Sequence, residues 1–174
     1  MKKFIALFAA MMMLCCASLA SAETYYYATN PEYPPFESVE ADGSVVGYDV
    51  DLINAIGEKI GVTFEAESMA FDAVVSAVQA NPNTIGLSGI SITEERKLSV
   101  NFSDGYIDAG LVVIMKADAG FTTVDDLKGK MIGVQLGTTS DFKAEEITGA
   151  ENVQTYNTFI NAVLDLQGNQ IDAV

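Results

Sequence analysis

Short apolar, β-branched segments alternate along the chain with segments whose apolar residues recur at helical spacing. Residues 25–29, 62–67 and 85–88 have the pattern of strands, and residues 49–60 and 71–80 have that of amphipathic helices. Strands that alternate with helices of this length indicate parallel sheets joined by crossover helices. The pattern therefore predicts an α/β fold.

The second half of the chain repeats this rhythm. The predicted strands are residues 111–116, 131–135, 153–156 and 171–174, and the predicted helices are residues 124–127, 140–147 and 159–166. In parallel sheets, ligands bind where loops join the carboxyl ends of strands to the amino termini of helices. Two loops fit that position: residues 88–91, ahead of a helix that opens at Thr93, and residues 137–139.

The first 22 residues predict a secretory signal peptide. Lys2 and Lys3 precede an apolar run over residues 4–17, and Ala20-Ser21-Ala22 offers a cleavage site. The run is shorter than the roughly 20 apolar residues of a transmembrane anchor. Because both cysteines lie inside this segment, we expect an exported, periplasmic chain that begins at Glu23 and has no disulfide.

The charge and the missing histidine exclude several classes of protein. The chain has 24 acidic residues against nine basic ones, a net charge of −15 and no histidine. A nucleic-acid binder needs a basic surface, which these residues cannot form. Without histidine, the commonest general base and metal ligand is absent. We expect no cofactor, no metal site, no nucleic-acid partner and no catalysis.

Both loops are suited to bind an anion. Each combines a glycine with small hydroxyl side chains and a helix start, whose free N–H groups attract carboxylates and phosphates. Arg96 is the single arginine of the chain and lies five residues beyond Ser91, so its planar fork could hold a carboxylate. The alternatives stay open here: Arg96 could be a surface charge, and Thr139 and Ser140 could simply cap a helix.

Two aromatic residues and two carboxylates have similarly open roles. Tyr33 and Phe71 lie at turns that leave predicted strands, where they either pack the loops or sandwich a ligand side chain. Asp49 and Asp51 suggest a carboxylate pair, but Asp51 is better explained as support for the following helix start. Neither aspartate is interpreted as a metal ligand or an acid–base group.

Several motifs, in one order along the chain, resemble those of a known family. They are Tyr33-Pro34-Pro35-Phe36, Gly47-Tyr48-Asp49-Val50-Asp51-Leu52, Met69-Ala70-Phe71-Asp72, residues 87–96, Phe102-Ser103-Asp104-Gly105-Tyr106 and residues 133–139. Together they resemble the polar amino-acid substrate-binding proteins of ABC transporters, the family 3 periplasmic solute-binding proteins.

The resemblance implies a type II fold of two α/β lobes that close over a ligand. Residues 23–113 would form the N-terminal part of lobe 1, and residues 114–174 an incomplete lobe 2. Relatives continue beyond the strand that matches residues 171–174. They then supply an aspartate for the α-ammonium group of the ligand and return to the first lobe. The resemblance therefore implies that this chain is C-terminally truncated, before the return crossover.

The resemblance also implies roles for ten residues. Arg96 would pair with the α-carboxylate of the ligand, helped by Ser91 and the Gly89 backbone from one lobe and by Thr139 from the other. Tyr33 and Phe71 would flank the ligand side chain. The other residues that would line the site are Asn30, Ser88, Gln135 and Thr138. Asn30 stands where relatives often carry an aspartate, which speaks against a strongly cationic ligand.

The function implied is capture of a free polar amino acid by cleft closure and its delivery to the membrane permease of an ABC transporter. The protein would act as a periplasmic monomer. Two alternatives stay open: a dehydratase on the same scaffold and the ligand-sensing domain of a receptor, which would have a transmembrane span after the second lobe.

Overall fold

The computed structural model describes residues 24–174, so the predicted signal peptide lies outside the described residues. In chain order its elements are β1 (Thr24–Thr29), β2 (Glu32–Tyr33), β3 (Glu37–Val39), β4 (Val45–Val46), α1 (Tyr48–Ile60), β5 (Thr63–Ser68), α2 (Phe71–Ala80), β6 (Thr84–Gly86), α3 (Glu94–Lys97), β7 (Ile132–Gln135), α4 (Thr139–Thr148), β8 (Val153–Tyr156) and α5 (Phe159–Gln167). Two short 3-10 helices, Val124–Leu127 and Ala150–Asn152, complete the set.

A parallel sheet in the order β5-β1-β6 forms the centre of the first half, which we call the first unit. Tyr27 of β1 packs with Val50 and Ile53 of α1 and with Leu87, and all four are buried. A small antiparallel sheet, β2-β3-β4, lies beside it, and its last hairpin turns at Asp42-Gly43. The predicted strands and helices of residues 25–88 form within two residues of their expected bounds.

Glycines determine both ends of α1. Gly47 precedes the helix with φ 136°, and a Cβ atom there would lie 2.2 Å from the carbonyl oxygen of Phe36. Gly61 follows the helix in the left-handed conformation, and its N–H donates to the carbonyl of Gly57. Because the chain passes so close to Phe36, α1 begins directly against β3.

A second parallel pair, β7 and β8, forms the second unit. Ile132 and Val134 of β7 pack with Leu127, Ala144 and Ala173 in a separate buried cluster. Helices α4 and α5 follow the two strands, as the sequence predicts. The predicted α/β class with parallel sheets is therefore confirmed.

Two predicted strands do not form. The segment 111–116 pairs only at its end among the described residues: Ile114 and Val174 exchange N–H···O bonds of 2.8 and 2.9 Å, and Met115 bridges Ala173. The segment 171–174 forms only isolated bridges, since Ala173 also bridges Ile132. β-Branched composition favours a strand only where a partner and a half-buried surface are available. Residues 111–115 lack that surface, since each residue is 39–81% exposed.

Membrane-spanning helices were sought over residues 24–174. Within this range, no helix is both long enough and apolar enough to cross a bilayer.

Candidate functional site

The two predicted loops meet between the two units. Residues 88–91, the 88–91 loop, follow β6, and residues 137–139, the 137–139 loop, join β7 to α4. Two hydrogen bonds connect the units here: Arg96 Nη2 donates to the Gly137 carbonyl at 3.0 Å, and Gln135 Nε2 donates to Asn30 Oδ1 at 3.0 Å. The structure thus brings both loops to one cleft.

Arg96 lies at the centre of this cleft. Its backbone N–H donates to the Thr93 side chain that caps α3, and its Nη1 donates to the Ser91 carbonyl at 2.9 Å. Burial lowers the pKa of Arg96, opposed by the charge of Glu95, but a guanidinium remains charged in proteins. The side-chain bonds to the Ser91 and Gly137 carbonyls use two of the five N–H groups of Arg96, so the guanidinium can also hold an anion.

The two aromatic residues contact different parts of the cleft: Phe71 lies against Arg96, and Tyr33 lies against the 88–91 loop. The Phe71 ring centroid is 5.7 Å from the guanidinium carbon of Arg96, within the range of a cation–π contact. Tyr33 stacks on Phe36 with 5.4 Å between centroids, and a Cβ at Gly89 would lie 3.4 Å from the Tyr33 ring. Both rings therefore border the cleft, and Tyr33 remains half exposed.

Asn30, Ser88 and Gln135 form one hydrogen-bonded group. The Ser88 hydroxyl accepts from the Asn30 N–H at 3.0 Å, and Asn30 Nδ2 donates to the Met69 carbonyl at 3.2 Å. Gln135 Nε2 also donates to the Asn157 carbonyl at 3.1 Å. Side chains that the sequence singled out thus link the carboxyl ends of β1, β6 and β7.

Local hydrogen bonds hold the 137–139 loop. Thr138 is the N-cap of α4: its hydroxyl accepts from the Asp141 N–H and donates to the Gln135 carbonyl at 2.7 Å. Asp141 Oδ2 accepts from the Gly137 N–H at 3.0 Å. Helix capping was left open for Thr139 and Ser140, but the capping hydroxyl belongs to Thr138, and Thr139 is the first residue of the helix.

Three more residues belong to the site: sequence reasoning gave no role to Glu37 or Tyr106 and noted Asp49 only as one of a possible carboxylate pair. Asp49 Oδ2 accepts from the Gly89 N–H at 3.3 Å and from the Tyr106 hydroxyl at 2.8 Å, and Glu37 accepts from the Ser88 hydroxyl at 3.0 Å. Asp49 could have been found from the sequence, since an acidic residue in the first turn after Gly47 is typical of a helix start. Glu37 carried no such signal. The Gly89 N–H is directed to Asp49.

Two cavities of the described chain lie outside this site, and the described chain has no cluster of metal-ligating side chains. One cavity of about 270 Å³ lies between residues 113–115 and 121–127, and one of about 470 Å³ lies along residues 97–105. Neither is lined by any of the ten predicted residues. Over residues 24–174, no group of three or more acidic or cysteine side chains has the arrangement of a metal site.

Two parallel-sheet units with strand-end loops that face each other across an arginine define a two-lobed ligand-binding protein. The chain belongs to the bacterial extracellular solute-binding proteins, family 3, whose family model matches residues 25–173. The resemblance found in the sequence is therefore confirmed.

Individual relatives agree with this family. The chain is 38% identical, over 97% of its length and 69% of the relative's, to the putative ABC transporter arginine-binding protein 2 of Escherichia coli K12. Other relatives are named arginine-binding or histidine-binding proteins. The chain spans 57–70% of the length of the first four curated relatives.

Solved structures share the fold. The holo form of ArgBP from T. maritima matches with a TM-score of 0.80 and 37% identity, over 87% of this chain and 67% of that one. An ancestral amino acid-binding protein described as a precursor of cyclohexadienyl dehydratase matches with a TM-score of 0.80 and 32% identity, over 86% and 68% of the two chains.

Proposed function

We propose that this protein captures a free amino acid in the cleft between its two units and delivers it to the permease of an ABC transporter. The observation that carries the proposal is Arg96, a partly buried cation that bonds to a carbonyl from each loop, Ser91 and Gly137. A ligand carboxylate offers the guanidinium a stronger, charge-assisted partner than the Gly137 carbonyl. Binding would then exchange a direct bond between the units for one made through the ligand.

The ligand that we propose is an amino acid with a polar side chain, with arginine first. The relatives named above bind arginine or histidine by their names. Asn30 is uncharged, but amide oxygens accept N–H groups of a guanidinium as well as those of a neutral side chain. The net charge of −15 favours encounter with cations without determining specificity.

The division of the chain remains part of the proposal. We place the signal peptide at residues 1–22, lobe 1 at residues 23–113 and the part of lobe 2 present here at residues 114–174. The protein would act outside the cytoplasmic membrane as a monomer, without a cofactor or catalytic step.

A dehydratase is the second candidate, because of the similarity to the dehydratase precursor. Incubation with prephenate or arogenate tests it, and we expect no turnover.

Calorimetric titration of the purified protein with arginine, histidine and glutamine tests the ligand proposal. We expect binding of arginine, and Arg96→Ala should weaken it by about 2–5 kcal/mol because a desolvated carboxylate loses its partner. Arg96→Lys should not restore binding, since an ammonium cannot reproduce the planar fork.

The neighbouring Lys97 supplies a matched control. It forms an exposed ion pair with Glu94, so Lys97→Ala should leave the affinity unchanged. If Arg96→Ala bound as tightly as the Lys97→Ala control, Arg96 would be a surface charge and the proposal would fail.

A further inference from the structure

Two carboxyl groups lie side by side behind the 88–91 loop. Glu37 and Asp49 are 1% and 0% exposed, and they bond to two consecutive loop residues, Ser88 and Gly89. The Asp49 N–H also donates to the carbonyl of Phe36, the residue before Glu37, at 3.1 Å. The ion pairs formed within residues 24–174 join other residues and leave both carboxyls without a cation. Two adjacent buried anions without a counter-ion are strongly unfavourable, so both groups cannot be ionised together.

Each carboxyl uses one oxygen to hold the loop. Glu37 Oε1 accepts from the Ser88 hydroxyl at 3.0 Å, and Asp49 Oδ2 accepts from the Gly89 N–H at 3.3 Å. The other two oxygens, Glu37 Oε2 and Asp49 Oδ1, are buried and have no donor within the described chain. Because the two carboxyls are neighbours, one proton shared between them would satisfy oxygens that otherwise lack a partner.

The surroundings decide which carboxyl carries the proton. Asp49 lies in the first turn of α1, where the helix dipole favours negative charge, and it also accepts the Tyr106 hydroxyl. Burial, and then the charge of Asp49, raise the pKa of Glu37 to about 8 against the lowering effect of its Ser88 bond. Glu37 is therefore the protonated member of the pair.

The other titratable groups near the pair are tyrosines. Burial and the bond to Asp49 raise the pKa of Tyr106, so its hydroxyl stays protonated and continues to donate. Tyr48 stacks on Tyr106 with 6.2 Å between ring centroids.

We propose that Glu37 and Asp49 share one proton and act as positioning residues: Glu37 holds Ser88, Asp49 holds Gly89, and together they set the 88–91 loop for the ligand carboxylate. The positioning role rests on the proposed function, whereas the shared proton does not. Cleft geometry would then depend on a proton held outside the ligand site.

The shared proton makes folding stability depend on pH in a defined direction. Between the ordinary value of 4.5 and about 8, the folded protein keeps a proton on Glu37 that the unfolded chain has released. Stability must therefore fall as pH rises through this window. Glu37→Gln keeps an acceptor for Ser88 and a donor for Asp49 but cannot titrate. Its stability should lack this component of the pH dependence.

The proton is tested directly, without any ligand, by a ¹³C NMR titration of the Glu37 carboxyl carbon. We expect Glu37 to titrate well above the ordinary glutamate range, and the midpoint to fall in Asp49→Asn, where the neighbouring charge is gone. A Glu37 midpoint at its ordinary value, or one that does not move in Asp49→Asn, would overturn the shared proton.

The positioning role is tested by arginine titration at pH 6. Glu37→Gln should keep the affinity within about threefold. Glu37→Met has a similar length but neither polar group, so it should weaken binding about tenfold or more, the value of one lost hydrogen bond. Equal affinities for the Gln and Met variants would overturn the positioning role. If the unmodified protein bound no amino acid, the proposed function and the positioning role would fail together, and the NMR result would still decide the proton.

Discussion

The 88–91 loop and the 137–139 loop occupy equivalent places at the ends of parallel strands, but they are held in different ways. Ser88 bonds to Asn30 and Glu37, 58 and 51 residues away along the chain, and Gly89 bonds to Asp49, 40 residues away. In the 137–139 loop, Thr138 and Asp141 bond to groups three or four residues away.

The shapes of the two loops are therefore set by two different kinds of contact. The second loop takes its shape from a capped helix start, which a short peptide segment already encodes. The first loop takes its shape from the packing of α1 and β3 beneath it, so it exists only when the first unit is folded. Perturbing the support of each loop should therefore have effects of different size.

Gly47 should give the largest effect, because it lets α1 begin against β3. In Gly47→Ala the new Cβ would lie 2.2 Å from the Phe36 carbonyl oxygen and 2.9 Å from that of Pro35, at φ 136°. Backbone atoms cannot turn away as a side chain can, so we expect a loss of about 3 kcal/mol or more in the free energy of unfolding.

Gly43 is the matched control for this measurement. It also has a positive φ, 89°, but a Cβ there would meet nothing within 4 Å. Gly43→Ala should therefore cost only about 1 kcal/mol of backbone strain. Urea unfolding of both variants checks this, and equal losses would mean that the approach of α1 to Phe36 is not the source of the effect.

The next effect compares one hydroxyl from each loop. Ser88→Ala leaves the buried Asn30 N–H and Glu37 Oε1 without a partner, which should cost about 1–3 kcal/mol. Thr138→Ala removes the N-cap of α4 and should cost about 1 kcal/mol. Urea midpoints rank the two variants, and a larger loss for Thr138→Ala would contradict the contrast between distant and local support.

The same contrast explains what the sequence could predict. Periodicity and glycine positions predicted α1, α2 and α5 within two residues, since these signals are local. The order of strands and helices predicted both loops, the position of Arg96 beyond Ser91 singled it out, and the structure brings all three together. The sequence also predicted the helix start that holds the 137–139 loop, although the capping residue is Thr138 and not Thr139 or Ser140.

Distant contacts account for what was missed. Nothing near Glu37 indicates that its carboxyl reaches Ser88, because the contact joins β3 to the loop after β6, 51 residues away along the chain. The prediction of a strand at residues 111–116 was wrong for a related reason. Its composition is that of a strand, but strand pairing also needs a second segment. Within the described chain only Ile114 and Met115 form backbone pairs with another segment.

The measurement that tests the account most directly is a crystal structure of the protein grown with arginine. We predict that the ligand carboxylate lies within hydrogen-bonding distance of the Arg96 guanidinium and takes the place of its bond to the Gly137 carbonyl. Tyr33 and Phe71 should lie on either side of the ligand. An arginine bound elsewhere, or an Arg96 that stays on the Gly137 carbonyl with the ligand present, would contradict capture between the two units.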